Sequence, residues 1–167
     1  MSNYIVISDD DYFDLEIIKN FQKLNLNNNI RCFIASTPNL SKIQSELKCD
    51  IFFWKDLNFK YKDKLSKIAH LDEIIYKKYY ECEQIHNQML DFINPDGNNF
   101  SNLEIRRNYR QTLEFCLSLI ETYRPDYLIF TNIPHSYYTA VLYQICKIKK
   151  IPTIIVRETL PKIYIFE

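Results

Sequence analysis

The sequence predicts an α/β fold with a Rossmann-like parallel sheet, crossover helices and a long antiparallel helix pair inserted in the sheet domain or packed on it. Short apolar runs alternate with segments of helical spacing before residue 54 and again after residue 127. This alternation is typical of parallel strands joined by helices. Because 167 residues correspond to about one domain, we expect a single Rossmann-like domain over residues 1–167.

Apolar runs rich in branched residues predict strands, and apolar side chains at three- and four-residue steps predict helices. In the first alternating stretch the predicted strands are residues 4–8, 30–35 and 50–54, and the predicted helices are residues 12–26 and 40–47. In the second stretch the predicted elements are a strand at 127–131, a helix at 137–149, a strand at 151–156 and an edge strand within 160–166. The chain stops directly after this strand-like run, so we expect a larger protein to continue into a second domain.

The helix pair is predicted at about residues 61–123. Residues 61–93 and 101–123 both show long helical spacing, and the polar run 94–99 separates them. Ser101 and Glu104 have the spacing of a capping box, which predicts the start of the second helix.

The composition argues against several partners. Lys plus Arg total 21 and Asp plus Glu total 21, so no overall field attracts nucleic acid, and we predict no nucleic-acid partner. The chain contains one glycine, Gly97, and therefore lacks the Gly-rich loops of Walker and dinucleotide-binding motifs. We accordingly predict no cofactor. The N-terminus lacks a signal peptide and no apolar run is long enough for an integral membrane segment, so we expect a cytoplasmic protein.

The cysteines and one histidine are predicted to be structural. The five cysteines lie in apolar runs and no two have C-x-x-C spacing, so we expect buried thiols in a reducing compartment. His86 lies on an apolar helical face without enough ligand-type neighbours for a metal. We expect it to be a hydrogen-bonded core or interface histidine.

Ligands of parallel sheets bind outside the carboxyl ends of the strands. That rule selects the loops at residues 9–11, 132–135 and 157–159. In the middle loop Pro134 stiffens the turn, and His135 falls near the N-terminus of the next helix. An imidazole there tends to be neutral, which suits a general base or a hydrogen bond to a sugar. The alternative is that His135 or Ser136 simply caps the helix.

Part of the chain resembles a known family. The segments RPDYLIFTNIPH at residues 124–135, LYQICK at 142–147 and IPTII at 151–155 resemble the N-terminal region of capsular polysaccharide biosynthesis proteins. These are glycosyltransferase-like proteins with two Rossmann domains (GT-B type), and the resemblance covers about the last third of the chain. It implies an acceptor-side domain in capsular or surface polysaccharide biosynthesis. The nucleotide-sugar would bind mainly to a missing C-terminal domain, so we expect this chain to be inactive alone.

Within that resemblance the candidate catalytic residues are His135 and Glu158, either of which would remove a proton from an acceptor hydroxyl. Arg157 would hold a phosphate or an acidic sugar, although for Arg157 and Glu158 we favour an exposed charge pair at a strand end. The further candidate substrate-binding residues are Asn132, Ser136, Tyr137, Asp9 and Asp11. Trp54, Tyr137 and Tyr138 are placed where a sugar ring could stack. The D-x-D pattern of residues 9–11 has carboxylates that could bind a divalent cation. Because the N-cap of a helix also explains these acidic residues, we predict no metal site.

Two further questions stay open in the sequence. Arg106, Arg107 and Arg110 suit an anionic acceptor, but we favour a solvated helix face paired with Glu104 and Glu114. The chain as a whole also fits a non-enzymatic binding or assembly module that uses the helix pair, or another Rossmann-like nucleotide binder. The glycosyltransferase-like reading is the first hypothesis.

Overall fold

The computed structural model describes residues 2–8, 16, 18–20, 23, 28–35, 45, 47–54, 61, 63–93, 100–159 and 162–166. Its strands are β1 (Ser2–Ile7), β2 (Asn28–Ala35), β3 (Asp50–Phe53), β4 (Tyr127–Phe130), β5 (Thr153–Thr159) and β6 (Lys162–Phe166). Its helices are α1 (Glu73–Lys78), α2 (Tyr80–Ile93), α3 (Asn102–Tyr123) and α4 (Tyr137–Lys149).

The six strands form one sheet in the order β3-β2-β1-β4-β5-β6. The first five strands of that order are mutually parallel, and β6 pairs antiparallel with β5 at the edge. The predicted Rossmann-like parallel sheet is therefore confirmed. Strands β2 and β3 lie on one side of β1, and β4 and β5 lie on its other side. The direction in which successive strands are added to the sheet therefore reverses between β1 and β4.

Apolar packing against the sheet explains why these runs form strands. Side chains of β1, β2 and β4 pack with Ile18, one of the described helical residues between β1 and β2. Ile18 is 2% exposed, and Val6 and Phe33 are fully buried. Burying a side chain of this size contributes about 1.5–3 kcal/mol. The apolar face of each strand thus fixes its register in the sheet.

Two compact units are present in the chain. The first, which we call the sheet unit, comprises Met1–Asp56, Tyr123–Ile133 and Ile151–Glu167. The second, the helical unit, comprises Leu57–Thr122 and Pro134–Lys150. The helical unit thus contains the predicted helix pair together with α4.

The first helix of the predicted pair begins later than its apolar spacing indicates. The described residues of 61–72 are not helical, and α1 begins only after Asp72, whose Oδ1 accepts a hydrogen bond from the Ile75 N–H at 2.8 Å. The segment before Asp72 runs along α3 instead. The Ala69 N–H donates to Ser118 Oγ at 2.8 Å, and the Lys67 N–H donates to Thr122 Oγ1 at 3.2 Å. These hydrogen bonds satisfy backbone groups without a helix.

A break at Tyr79 separates α1 from α2. The Tyr79 N–H closes the last turn of α1 on the carbonyls of Ile75 and Tyr76. The Tyr79 carbonyl then accepts a hydrogen bond from the hydroxyl of Tyr109 at 2.8 Å, and both tyrosines are buried.

Among the described helices, none combines the length and the apolar character needed to cross a membrane.

Candidate functional site

The carboxyl ends of β1 and β4 lie side by side at the point where the strand order reverses. Ile7 pairs with Phe130 at this end of the two strands. The next residue, Thr131, donates its backbone N–H to the Ile7 carbonyl at 3.0 Å and its hydroxyl to the same oxygen at 3.2 Å. On the other side of β1 the Ser8 N–H donates to the Ile34 carbonyl at 2.9 Å. Rossmann-like sheets bind their ligands at this edge.

Asn132 follows Thr131 and shapes the loop. Its side-chain carbonyl accepts a hydrogen bond from the Ile133 N–H at 2.8 Å, and the residue is half-buried. Asn132 therefore lies in the sheet unit directly after β4, at the sheet edge that the sequence selected. Its role in substrate binding stays a prediction.

His135 and Ser136 belong to the helical unit and precede α4. Ser136 is the N-cap of α4. Its N–H donates to Thr139 Oγ1 at 3.1 Å, and the two hydroxyl oxygens are 2.9 Å apart. This geometry supports the capping role that the sequence left open for Ser136. His135 is exposed, as a residue that meets a ligand needs to be.

The aromatic residues at the start of α4 pack inside the helical unit. The Tyr137 ring meets the His86 ring edge-on at 5.4 Å and the Tyr138 ring at 6.0 Å. Burial raises the pKa of Tyr137. Tyr138 is only 6% exposed, so it offers little ring surface for sugar stacking. Tyr137 is half-buried and keeps part of its surface accessible.

The expectation of a loop at residues 157–159 was wrong. Strand β5 continues to Thr159, because Arg157 pairs with Tyr164 and Glu158 pairs with Ile163 of the antiparallel strand β6. An added strand supplies hydrogen-bond partners that extend β5 beyond its apolar run. The side chains of Arg157 and Glu158 lie outside the described part of the structure, as do Asp9 and Asp11. Their predicted roles remain predictions.

The start of α3 shows a confirmed capping box with a consequence for its arginines. Glu104 Oε2 accepts the Ser101 N–H at 2.7 Å and the Ser101 hydroxyl at 2.8 Å. These hydrogen bonds lower the pKa of Glu104. Glu104, one of the two carboxylates that we expected to pair with the arginines, is therefore engaged by Ser101. Among the residues that the structure describes, Arg107 and Arg110 form no salt bridge.

A polar cavity of about 430 Å³ lies between α3 and the non-helical segment before α1. Arg107 and Arg110 line it from α3, three residues apart on one helix face, together with Gln111 and Glu114. The side chains that line it from the other segment include Tyr61 and His70. The sequence indicated only the arginines. Nothing in its pattern marked Tyr61, which looks like one apolar residue of a helix.

Tyr61 is the most unusual residue of this cavity. It is 2% exposed, its ring packs edge-on against Phe115 at 5.1 Å, and its hydroxyl lies beside the carboxylate of Glu114. Burial, and then the charge of Glu114 and a hydrogen bond to its side chain, raise the pKa of Tyr61, so the phenol keeps its proton.

A second cavity, of about 460 Å³, lies in the sheet unit at the amino ends of β2 and β3. Its lining includes Asn29 and Arg31 from the start of β2, and Lys48 and Asp50 at the start of β3. Asp50 accepts the Tyr123 hydroxyl at 2.7 Å there. Because this cavity lies at the amino ends of the strands, away from the edge where Rossmann-like sheets bind ligands, we assign it no function.

The predicted core roles of His86 and the cysteines agree with the structure. His86 is fully buried, with Nε2 at 3.1 Å from Asn108 Oδ1 and Nδ1 at 3.2 Å from Asn87 Oδ1. All five cysteines are free, four are buried and Cys49 is half-buried. Burial raises the pKa of Cys146 to about 12, which keeps that thiol protonated. In the described portion of the chain, no group of three His, Cys, Asp or Glu residues is arranged to hold a metal.

The fold, with its reversal of strand order between β1 and β4, thus defines the class of protein: an α/β chain with a Rossmann-like sheet. No protein-family model, no curated protein and no solved structure matches it.

Proposed function

We propose that this chain is the acceptor-side domain of a glycosyltransferase-like protein in capsular or surface polysaccharide biosynthesis. The observation that supports the proposal is the reversal of strand order between β1 and β4. The segments that resemble the capsular polysaccharide family, residues 124–135, 142–147 and 151–155, supply β4, the loop after it, part of α4 and the start of β5. The resemblance therefore includes the loop at the carboxyl end of β4, where ligands of such sheets bind.

In the proposed reaction an acceptor hydroxyl attacks the anomeric carbon of a nucleotide-sugar. A new carbon–oxygen bond forms as the bond to the diphosphate breaks, and the nucleotide leaves as the diphosphate. His135 or Glu158 takes the proton of the hydroxyl, and Arg157 holds an anionic group of the acceptor. Asn132 and Tyr137 contact the acceptor sugar. As the resemblance implies, the donor would bind mainly to the second Rossmann domain of a GT-B type protein.

Ligand binding by the 167-residue chain provides the first test. Saturation-transfer NMR with a panel of capsular oligosaccharides, and separately with UDP-glucose, should show saturable binding of at least one oligosaccharide and weaker binding of UDP-glucose. Asn132→Ala should lower the oligosaccharide affinity by about tenfold, the effect of losing one good hydrogen bond in a desolvated site. Gln84→Ala, an exposed change on α2, is the control and should leave the affinity unchanged.

Sugar transfer provides the second test. When the chain is joined to a donor-binding domain, His135→Ala should lower kcat by at least about a hundredfold if the imidazole is the general base. Unchanged transfer would remove His135 from the chemistry. Tight UDP-glucose binding without any glycan binding would favour another Rossmann-like nucleotide binder.

The alternative, a non-enzymatic binding or assembly module, is favoured by apolar side chains on the surface of the helices. Ile74 of α1 is 75% exposed and Leu103 of α3 is 77% exposed. Sedimentation equilibrium of the chain and of its Ile74→Ser, Leu103→Ser double variant separates the two functions. Self-association that the double variant abolishes, together with no glycan binding, would support the assembly module.

A further inference from the structure

We propose that the polar cavity of the helical unit binds a small phosphorylated polyhydroxy compound, such as a sugar phosphate. This site goes beyond the proposed function, because it lies within the helical unit and uses none of the candidate residues of the sheet edge. Its volume of about 430 Å³ is in the range of small-molecule sites.

The two arginines determine the charge of the ligand. Arg107 and Arg110 present two guanidinium groups from one face of α3, and Glu114 is the one carboxylate among the described residues of the lining. Glu104, an acidic side chain in the first turn of α3, accepts hydrogen bonds from Ser101. The cavity therefore carries an excess of positive charge. Planar guanidinium groups bind phosphate oxygens in pairs.

The remaining polar groups match hydroxyls. Gln111 and Glu114 lie within two turns of Arg107 and supply acceptors for sugar hydroxyls. Tyr61 is a buried part of the lining, with its hydroxyl beside Glu114. A ligand with a phosphate at one end and hydroxyls at the other matches the arginines and these polar groups together.

Isothermal titration calorimetry of the 167-residue chain tests this site at low ionic strength. The probes are glucose 1-phosphate, glucose and inorganic phosphate. Glucose 1-phosphate should bind saturably and at least tenfold more tightly than either of the other two. The affinity should also fall as salt is added, because the guanidinium groups are exposed.

Matched variants separate the cavity from general charge. Arg107→Gln and Arg110→Gln should each lower the affinity about tenfold, whereas Arg106→Gln, the same change at an exposed position outside the lining, should change it less than twofold.

Three outcomes would overturn the proposal. The first is no saturable binding of glucose 1-phosphate. The second is an Arg106→Gln variant that loses as much affinity as Arg107→Gln. The third is equal affinity for inorganic phosphate and glucose 1-phosphate, which would contradict the ligand class. Loss of glycan binding in the Asn132→Ala variant would not change these calorimetric measurements. Failure of this site and failure of the proposed function can therefore be distinguished.

Discussion

Two helices end on residues whose backbone would suit glycine. Lys150 after α4 has φ 57° and Arg124 after α3 has φ 44°. The left-handed conformation is unfavourable for residues with a Cβ, and glycine is the usual choice at this position. The chain has only one glycine and does not use it here. Both positions therefore hold a small, local amount of strain.

Lys150→Gly should stabilise the protein by about 0.5–1 kcal/mol, the relief of left-handed strain less the added freedom of the unfolded chain. Urea denaturation measures the change as a higher midpoint with an unchanged slope. Lys149→Gly is the matched control, because Lys149 is still inside α4, where glycine should cost about 1 kcal/mol. A loss of stability in both variants would contradict the argument.

At the scale of elements, the capping box fixes where α3 begins. The Ser101 hydroxyl lies 3.3 Å from the Glu104 N–H, which donates to it, and Glu104 accepts from Ser101 in return. Ser101→Ala should lower the free energy of unfolding by about 1 kcal/mol, the usual effect of losing an N-cap. Asn102→Ala, an exposed change in the first turn, is the control. Thermal unfolding should show a lower Tm for Ser101→Ala and no comparable shift for Asn102→Ala.

The sequence predicted elements well where burial alone decides them. The parallel strands read as apolar runs because both faces are covered, and Ser101 with Glu104 marked the start of α3. The segment before Asp72 was mistaken for helix. Its apolar side chains have the same spacing as those of a helix, but its backbone N–H groups donate to the side chains of Ser118 and Thr122 in α3. Such a choice depends on a partner far along the chain, which local spacing does not contain.

At the scale of the whole molecule, the strand order made one part of the candidate site predictable. Asn132 follows β4 at the edge that the rule for parallel sheets selects. The cavity of the helical unit was not predictable in the same way. Tyr61 and Arg107 are distant in sequence, and only the folding of the 61–71 segment along α3 brings them to one cavity. Sequence spacing identifies sites on one element more readily than sites between two.

His86 couples the stability of the molecule to pH. Burial lowers its pKa from the ordinary value of 6.5, and the hydrogen bonds to Asn87 and Asn108 and the charge of Glu83 oppose that shift only in part. As the pH falls below about 6.5, the unfolded chain therefore takes up a proton more readily than the folded protein does. The contribution of His86 to stability is complete above that pH and is lost at up to about 1.4 kcal/mol per pH unit below it.

Replacing His86 by Gln isolates this contribution, since Gln does not titrate and still has hydrogen-bonding groups for Asn108. Urea denaturation of both proteins between pH 7.5 and 5 should show the wild-type free energy of unfolding falling more steeply than that of His86→Gln below about pH 6.5. The exposed histidines, His70 and His135, are shared by both proteins and cancel in the difference. Parallel profiles over this range would mean that His86 takes up its proton as readily in the folded protein as in the unfolded chain, against its complete burial between the rings of Tyr109 and Tyr137.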